Sequence, residues 1–248
     1  MRGRSELWLR RQASKNPKYR IICFPHAGGA SLFFRKWGEN LPNSEVYSVC
    51  YPGRAERIEE EQPTDLRELA LEIAKSIEPL SDIPLVLFGH SMGAAVALET
   101  ARSLEEKGVE IVHLFASGSR NGGLPKKESY VEKDDGSLCK HLVEMGGTDP
   151  DVINDPLFLD LVLPSIRADG KMFNEYNMRI EPTLKCSVTT IYGNTDTHVD
   201  MRPWREIAPG KFSEECVPGG HFYLTSKPPY NLVKQIVQMA VSAKMKAN

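Results

Sequence analysis

Ser91 carries the plainest chemical signal in the chain. It lies in Gly89-His90-Ser91-Met92-Gly93, with the apolar run Leu85-Val86-Leu87-Phe88 before it and an alanine-rich helical pattern after it. A serine hydroxyl is a poor nucleophile until a base takes its proton, and that base needs a carboxylate to fix its tautomer and stabilise the imidazolium. A buried strand running through G-x-S-x-G into a helix is the setting that exposes such a serine on a strained turn. The flanking glycines remove Cβ atoms where strand and helix come close, and Ala94, Ala95 and Ala97 keep that approach possible.

Candidates for the base and the acid lie downstream. The run Val188 to Tyr192 ends in Gly193-Asn194-Thr195-Asp196, and the run ending at Val217 passes through Pro218-Gly219-Gly220 into His221. This gives Asp196 as the acid and His221 as the base, with Asp200 and His198 as their competitors; alternatively Asp196 is a turn-forming residue. Negative charge on a tetrahedral intermediate needs two backbone N–H donors. Met92, directly after the nucleophile, supplies one, and Ala27, in Pro25-His26-Ala27-Gly28-Gly29, supplies the other unless that segment is only a tight Gly-Gly turn. His26 and His90 flank the site as shaping residues, His113 reads as a satisfied core residue, and His141 reads as solvated.

The elements that must hold these residues are short apolar runs alternating with helical patterns. Strands are expected at Tyr19 to Phe24, Glu45 to Cys50, Leu85 to Gly89, Ile111 to Ala116, Val188 to Tyr192 and Lys211 to Val217, apolar on successive positions as buried parallel strands are. Helices are expected from Thr64, as cap, through Ala74, and from Ala94 to Lys107, closed by Gly108. Such alternation predicts an α/β chain with a mostly parallel, doubly wound sheet. The stretch from about 121 to 183 breaks the rhythm with Gly-Gly, Pro and charge runs, then helical segments at Leu138 to Met145 and Pro156 to Ile166. It is too long for a plain connection and is expected to be a helical lid over the carboxyl edge of the sheet.

With 248 residues, 41% hydrophobic and 26% charged, the chain reads as one domain over 1–248. A formal net charge of −2 gives no reason to expect nucleic acid. The five cysteines (Cys23, Cys50, Cys139, Cys186 and Cys216) have no C-x-x-C spacing, so neither a disulfide framework nor a zinc site is expected, and buried thiols in a reducing compartment are. No apolar stretch approaches the ~18 residues of a membrane span. The basic start, Met1 to Arg20, reads as a solvated arm ahead of the first strand, with a short transit-like segment as the alternative. The chemistry calls for no metal and no organic cofactor.

Six segments together resemble a known family: Phe24-Pro25-His26-Ala27-Gly28-Gly29, Tyr51-Pro52-Gly53-Arg54-Ala55-Glu56-Arg57, Phe88-Gly89-His90-Ser91-Met92-Gly93, Gly146-Gly147-Thr148, Ile166-Arg167-Ala168-Asp169 and Pro218-Gly219-Gly220-His221-Phe222. From about Tyr19 to Ile236 the chain resembles the type II thioesterases, editing enzymes of polyketide and non-ribosomal peptide synthesis, and is similar to the medium-chain acyl-carrier-protein hydrolase of fatty acid synthesis. The resemblance implies the α/β-hydrolase fold, with Ser91, Asp196 and His221 as triad and 121–183 as lid. It also implies hydrolysis of an acyl thioester on the phosphopantetheine arm of a carrier protein; a cytoplasmic place is expected, and the oligomeric state is open with a monomer as the default. It would put Arg54 and Arg57 near the entrance, pairing with acidic groups of the protein or the carrier; a local salt bridge to Glu56 or Glu59 is the alternative. A lipase, esterase or acyltransferase could use the same triad, because reaction class lies in the acceptor and pocket and not in the fold. A non-catalytic binding module is the third reading.

Overall fold

The computed structural model of the protein describes residues 4–123 and 134–247. In chain order the elements are α1 (Arg4–Trp8), β1 (Leu9–Gln12), β2 (Tyr19–Phe24), α2 (Trp37–Asn40), β3 (Ser44–Val49), α3 (Leu66–Ile77), β4 (Leu85–His90) and α4 (Met92–Glu106). There follow β5 (Ile111–Ser117), β6 (Ser119–Asn121), α5 (Asp135–Glu144), α6 (Leu163–Glu175), β7 (Ser187–Gly193), β8 (Asp200–Arg202), α7 (Trp204–Ile207), β9 (Phe212–Val217), α8 (Tyr223–Ser226) and α9 (Tyr230–Ala247). A π-helical turn, Phe158–Val162, runs into α6. It coincides with Pro164, which has no N–H to return to the preceding turn.

Seven strands form one sheet in the order β1-β3-β2-β4-β5-β7-β9, parallel except for the antiparallel pairing of β1 on β3. The six expected strands are all present, shifted by a residue or less at their ends. Along each central strand successive side chains enter different cores. Ile22, Phe24, Leu85 and Leu87 face α3 and α4, whereas Ile21, Cys23, Val86 and Phe88 face Trp37 of α2 and Val233 and Val237 of α9. Both faces are covered, which is why these strands read as unbroken apolar runs. Each fully buried residue of this size contributes about 1.5–3 kcal/mol.

The strand order reverses at β2 and β4, which lie side by side with Phe24 opposite Gly89. The loop after β2 and the turn after β4 therefore leave the sheet together, at the switch point where open α/β sheets bind ligands. Leu138, Cys139, Phe158, Leu163 and Ile166 form a separate small core within the expected lid, of which residues 124–133 lie outside the described residues.

Two expectations at the element level are corrected. The start of the chain is no solvated arm: Trp8 and Leu9 are buried and β1 pairs with β3 from Leu9↔Val49 to Gln12↔Val46. Helix α3 is capped by Asp65, not Thr64, and the Asp65 carboxylate accepts the N–H groups of Arg67 at 2.8 Å and Glu68 at 2.9 Å. The long α9 and the small β6–β8 pair lie outside the elements expected from the sequence.

Candidate active site

Ser91 sits between the last residue of β4 and the first of α4, at φ 56° and ψ −124°. Few residues with a side chain adopt such a backbone. It is held there by Ser91 N–H donating to Ser117 O and by Ala94 N–H donating to Ser91 O, each at 2.8 Å. A Cβ on Gly89 would lie 2.2 Å from Gly93 O, and one on Gly93 would lie 2.2 Å from Phe24 O, so both positions require glycine.

The β7 and β9 loops bring His221 and Asp196 together. Their backbones are laced by Thr195 N–H to Gly219 O (3.0 Å) and Gly219 N–H to Asn194 Oδ1 (2.9 Å). Both side chains are buried, with His221 Nδ1 2.9 Å from Asp196 Oδ2, while Asp196 Oδ1 accepts the His198 N–H at 2.8 Å. A carboxylate fixed from two sides holds the imidazole ring in one orientation. His221 Nε2 is buried and makes no hydrogen bond, so the structure joins His221 to Asp196 but does not bond it to Ser91. Without substrate such contacts are commonly long. The shared neighbour is the Ser117–Gly118 turn: Ser117 O holds Ser91, and a Cβ on Gly118 would lie 3.1 Å from His221 Cε1.

The competitors are occupied elsewhere. Asp200 is ion-paired with the buried Arg202, Oδ2 to Nε, and accepts Ser119 Oγ at 3.4 Å. The His198 ring packs edge-on against His141, centroids 5.0 Å apart. His141 is thereby half-buried and not solvated, because the helix carrying it leans on the β7 loop. His113 lies in the core with Nε2 2.8 Å from Thr189 Oγ1.

Two further imidazoles surround His221. The His90 ring is fully buried 5.3 Å from it, with Nδ1 2.9 Å from Ser117 Oγ, which in turn bonds Tyr223 OH. Burial, then the proximity of His221 and His26, holds His90 well below the usual imidazole range. His26, edge-on to Phe33 and Phe222, is pushed down to about 3, again chiefly by burial and then by His221 and Arg54. Both rings are therefore neutral at neutral pH. The His90–Ser117–Tyr223 chain was not foreseen; Tyr223, two residues past His221, was the only local sign of it.

The loop after β2 is closed by Gly29 N–H donating to His26 O at 2.9 Å. Among the described residues neither Ala27 N–H nor Met92 N–H is donated to a protein acceptor. For Met92 this follows from its place as the first residue of α4, where N–H groups lack an intrahelical acceptor. The neighbouring Gly28 N–H donates to Asp169 Oδ2 at 2.7 Å.

Arg54 and Arg57 both pair with acidic groups of the protein, and the alternative pairing with Glu56 or Glu59 is corrected. Arg54 forms a bidentate, buried pair with Asp169 of α6, and Arg57 pairs with Glu60, not Glu56 or Glu59, and lies over the Trp8 ring. Arg167 pairs with Asp135. A cavity of about 280 Å³ opens beside the loop, lined by Ala27, Gly28, Phe158, Val162, Ile166 and Phe222 among others. A larger one of about 740 Å³ lies at the amino ends of the strands, near Lys18, Pro84 and Lys107, and shares no residue with the site. No helix among the described residues is long and apolar enough to cross a membrane.

The family described as Thioesterase domain matches residues 19–239. A probable cadicidin biosynthesis thioesterase of Streptomyces griseus is 36% identical over 223 residues, which cover 88% of this chain and 62% of that protein. Thioesterase PikA5 of Streptomyces venezuelae is 36% identical over 230 residues, covering 90% of this chain and 82% of that one. Among solved structures, the type II thioesterase BorB from the borrelidin biosynthetic cluster superimposes with a TM-score of 0.81 at 31% identity, covering 95% of this chain and 98% of that one.

Proposed function

The chain belongs to the thioesterase family, and from that premise we propose that it hydrolyses acyl groups off the phosphopantetheine arm of a carrier protein, using Ser91, His221 and Asp196. The observation that carries this reading is the buried His221–Asp196 pair, 2.9 Å apart, beside a serine held at positive φ. With Nδ1 tied to Asp196, His221 has only Nε2 left to receive a proton. Ser91 Oγ attacks the thioester carbonyl as its proton passes to Nε2, and the oxyanion is met by the N–H groups of Met92 and Ala27. The tetrahedral adduct then expels the pantetheine thiolate. Its reference pKa near ~8.5 lets it depart with little acid assistance. The imidazolium gives its proton to the departed thiolate, and Nε2, free again, takes a proton from the water that attacks the acyl-serine; collapse of that adduct returns the proton to Ser91 Oγ and releases the acid. The neutral His26 and His90 add no positive charge that would oppose an imidazolium at His221.

The partner is tested by turnover of one acyl chain on a carrier protein, on free pantetheine and as an oxygen ester. Carrier-bound thioester should be preferred, and a preference for the oxygen ester would remove the thioesterase reading. The triad is tested in parallel. Ser91→Ala and His221→Ala should each lower kcat by several orders of magnitude, and Asp196→Asn should lower it by at least about 100-fold. Asp200→Asn should leave kcat per folded molecule unchanged; damage there with a harmless Asp196→Asn would reassign the acid.

A further inference from the structure

We propose that Asp169 is a positioning residue: from the lid helix α6 its carboxylate pins the Gly28 N–H and so anchors the turn His26–Gly29, with the adjoining Ala27 N–H, where it can receive the oxyanion. The inference rests on Ser91 as nucleophile and Ala27 as donor. Gly29 N–H bonds back to His26 O, Gly28 has φ 73°, and Ala27 is not among the residues at positive φ. Those three facts make the segment a type II turn with Ala27 and Gly28 at its centre. The alternative, a type I turn, differs by inversion of the central Ala27–Gly28 peptide, and a glycine at the third position lets either form; the inversion swings Ala27 O and Gly28 N–H, leaves the Ala27 N–H in the preceding peptide, and frees the turn from its anchor on α6. The choice is therefore made from outside the turn.

Asp169 makes it. Its side chain is completely buried, and Oδ2 accepts both the N–H of that central peptide, at 2.7 Å, and Arg54 Nη1. Oδ1 accepts Arg54 Nη2 at 2.8 Å. Inverting the peptide would drive the Ala27 carbonyl oxygen against this carboxylate, where the two would repel. The same helix presses on the turn a second time, since a Cβ on Gly28 would lie 2.1 Å from Ile166 Cγ1. Helix α6 is itself bolted to the loop after β3: Ser165 Oγ donates to Gly53 O at 3.0 Å, and Gln62 Nε2 donates to Gly53 O at 2.8 Å and Ser165 Oγ at 2.9 Å. A part of the lid and the donor turn are thus tied to each other, and displacing α6 from the turn would break the tie.

The test compares Asp169→Asn with the double variant Arg54→Met, Asp169→Leu, which withdraws the acceptor from Gly28 without leaving either charge buried alone. Thermal unfolding establishes that each is folded, and a concentration series with one acyl-pantetheine thioester separates kcat from KM. The expected result is a kcat lowered about 10- to 100-fold with KM within about 3-fold of the parent. A folded variant with parental kcat overturns the proposal, and so does a loss confined to KM, which is what lid packing alone would give. Ser91→Ala distinguishes the two levels of failure. If it still turns over thioester, the underlying reading fails; if it is dead while the Asp169 variants run at full rate, only the role of Asp169 fails.

Discussion

At φ 56° and ψ −124°, Ser91 holds a backbone whose strain is typically about 1–3 kcal/mol for a residue with a Cβ. The strain is met by the hydrogen bonds that fix the turn and by the buried strand and helix it joins. On the role proposed for Ser91 the hydroxyl must stand proud of the sheet edge, and function and stability then oppose each other at this position. Removing the Cβ should relieve the strain. Ser91→Gly is expected to raise the unfolding free energy by about 1 kcal/mol while abolishing turnover, whereas Ser91→Ala should abolish turnover with no comparable gain. Denaturant titration of both variants reads the difference directly; equal stabilities would mean that the turn stores no strain in the side-chain-bearing residue.

Glycine serves the elements in two separable ways, and paired substitutions should expose them. Gly93 has no room for a Cβ, which would meet Phe24 O at 2.2 Å, backbone that cannot swing aside. Gly108, closing α4 at φ 79°, has no atom within 4 Å of such a Cβ. Gly93→Ala should therefore cost about 3 kcal/mol or more and damage the site, and Gly108→Ala only about 1 kcal/mol, with activity intact. Equal losses in a melting comparison would refute this account of the turn at Ser91. These contrasts also mark what the sequence could disclose. The central strands were legible because both faces are buried, leaving unbroken runs such as Leu85 to Phe88. Ser91 and Asp196 could be picked out as candidates because each stands just past such a run, and His221 because Pro218-Gly219-Gly220 leads into it from β9, a strand only partly buried. Strand β1 was not legible, since its four residues bury only Leu9 fully and include two arginines. Nor was the cap of α3, where Thr64 and Asp65 are both capable and only geometry chooses. Contacts across the chain were the hardest to read: Gly28 and Asp169 are 141 positions apart, and nothing local to either announces the bond.

For the whole molecule, the decisive feature is a sheet edge crowded with imidazoles, kept neutral by burial. His26 is pushed down to about 3 and His113, in the core between β5 and β7, to about 4, while His90 lies well below its usual range. In the unfolded chain all three titrate near ~6.5. Above that pH both states hold the rings neutral and the proton inventory is equal. Below it the unfolded chain binds protons that the native state refuses, so stability falls as pH drops from about 6.5 toward the folded values. Carboxylates such as Glu45, held low by Arg20 and Arg11 against the opposing effect of burial, add their own loss only below the ordinary carboxylate range. The window between about pH 4.5 and 6.5 therefore belongs to histidine. Each fully buried ring should contribute up to about 1.4 kcal/mol per pH unit there. His113→Gln, remote from Ser91 and able to keep a bond to Thr189, should flatten the slope by about one proton's worth and leave turnover at neutral pH unchanged. Unfolding free energies at half-unit steps from pH 8 to 5 provide the measurement. A parental curve that stays level down to pH 5, or a variant whose slope matches the parent, would show that these rings titrate in the fold as they do in water.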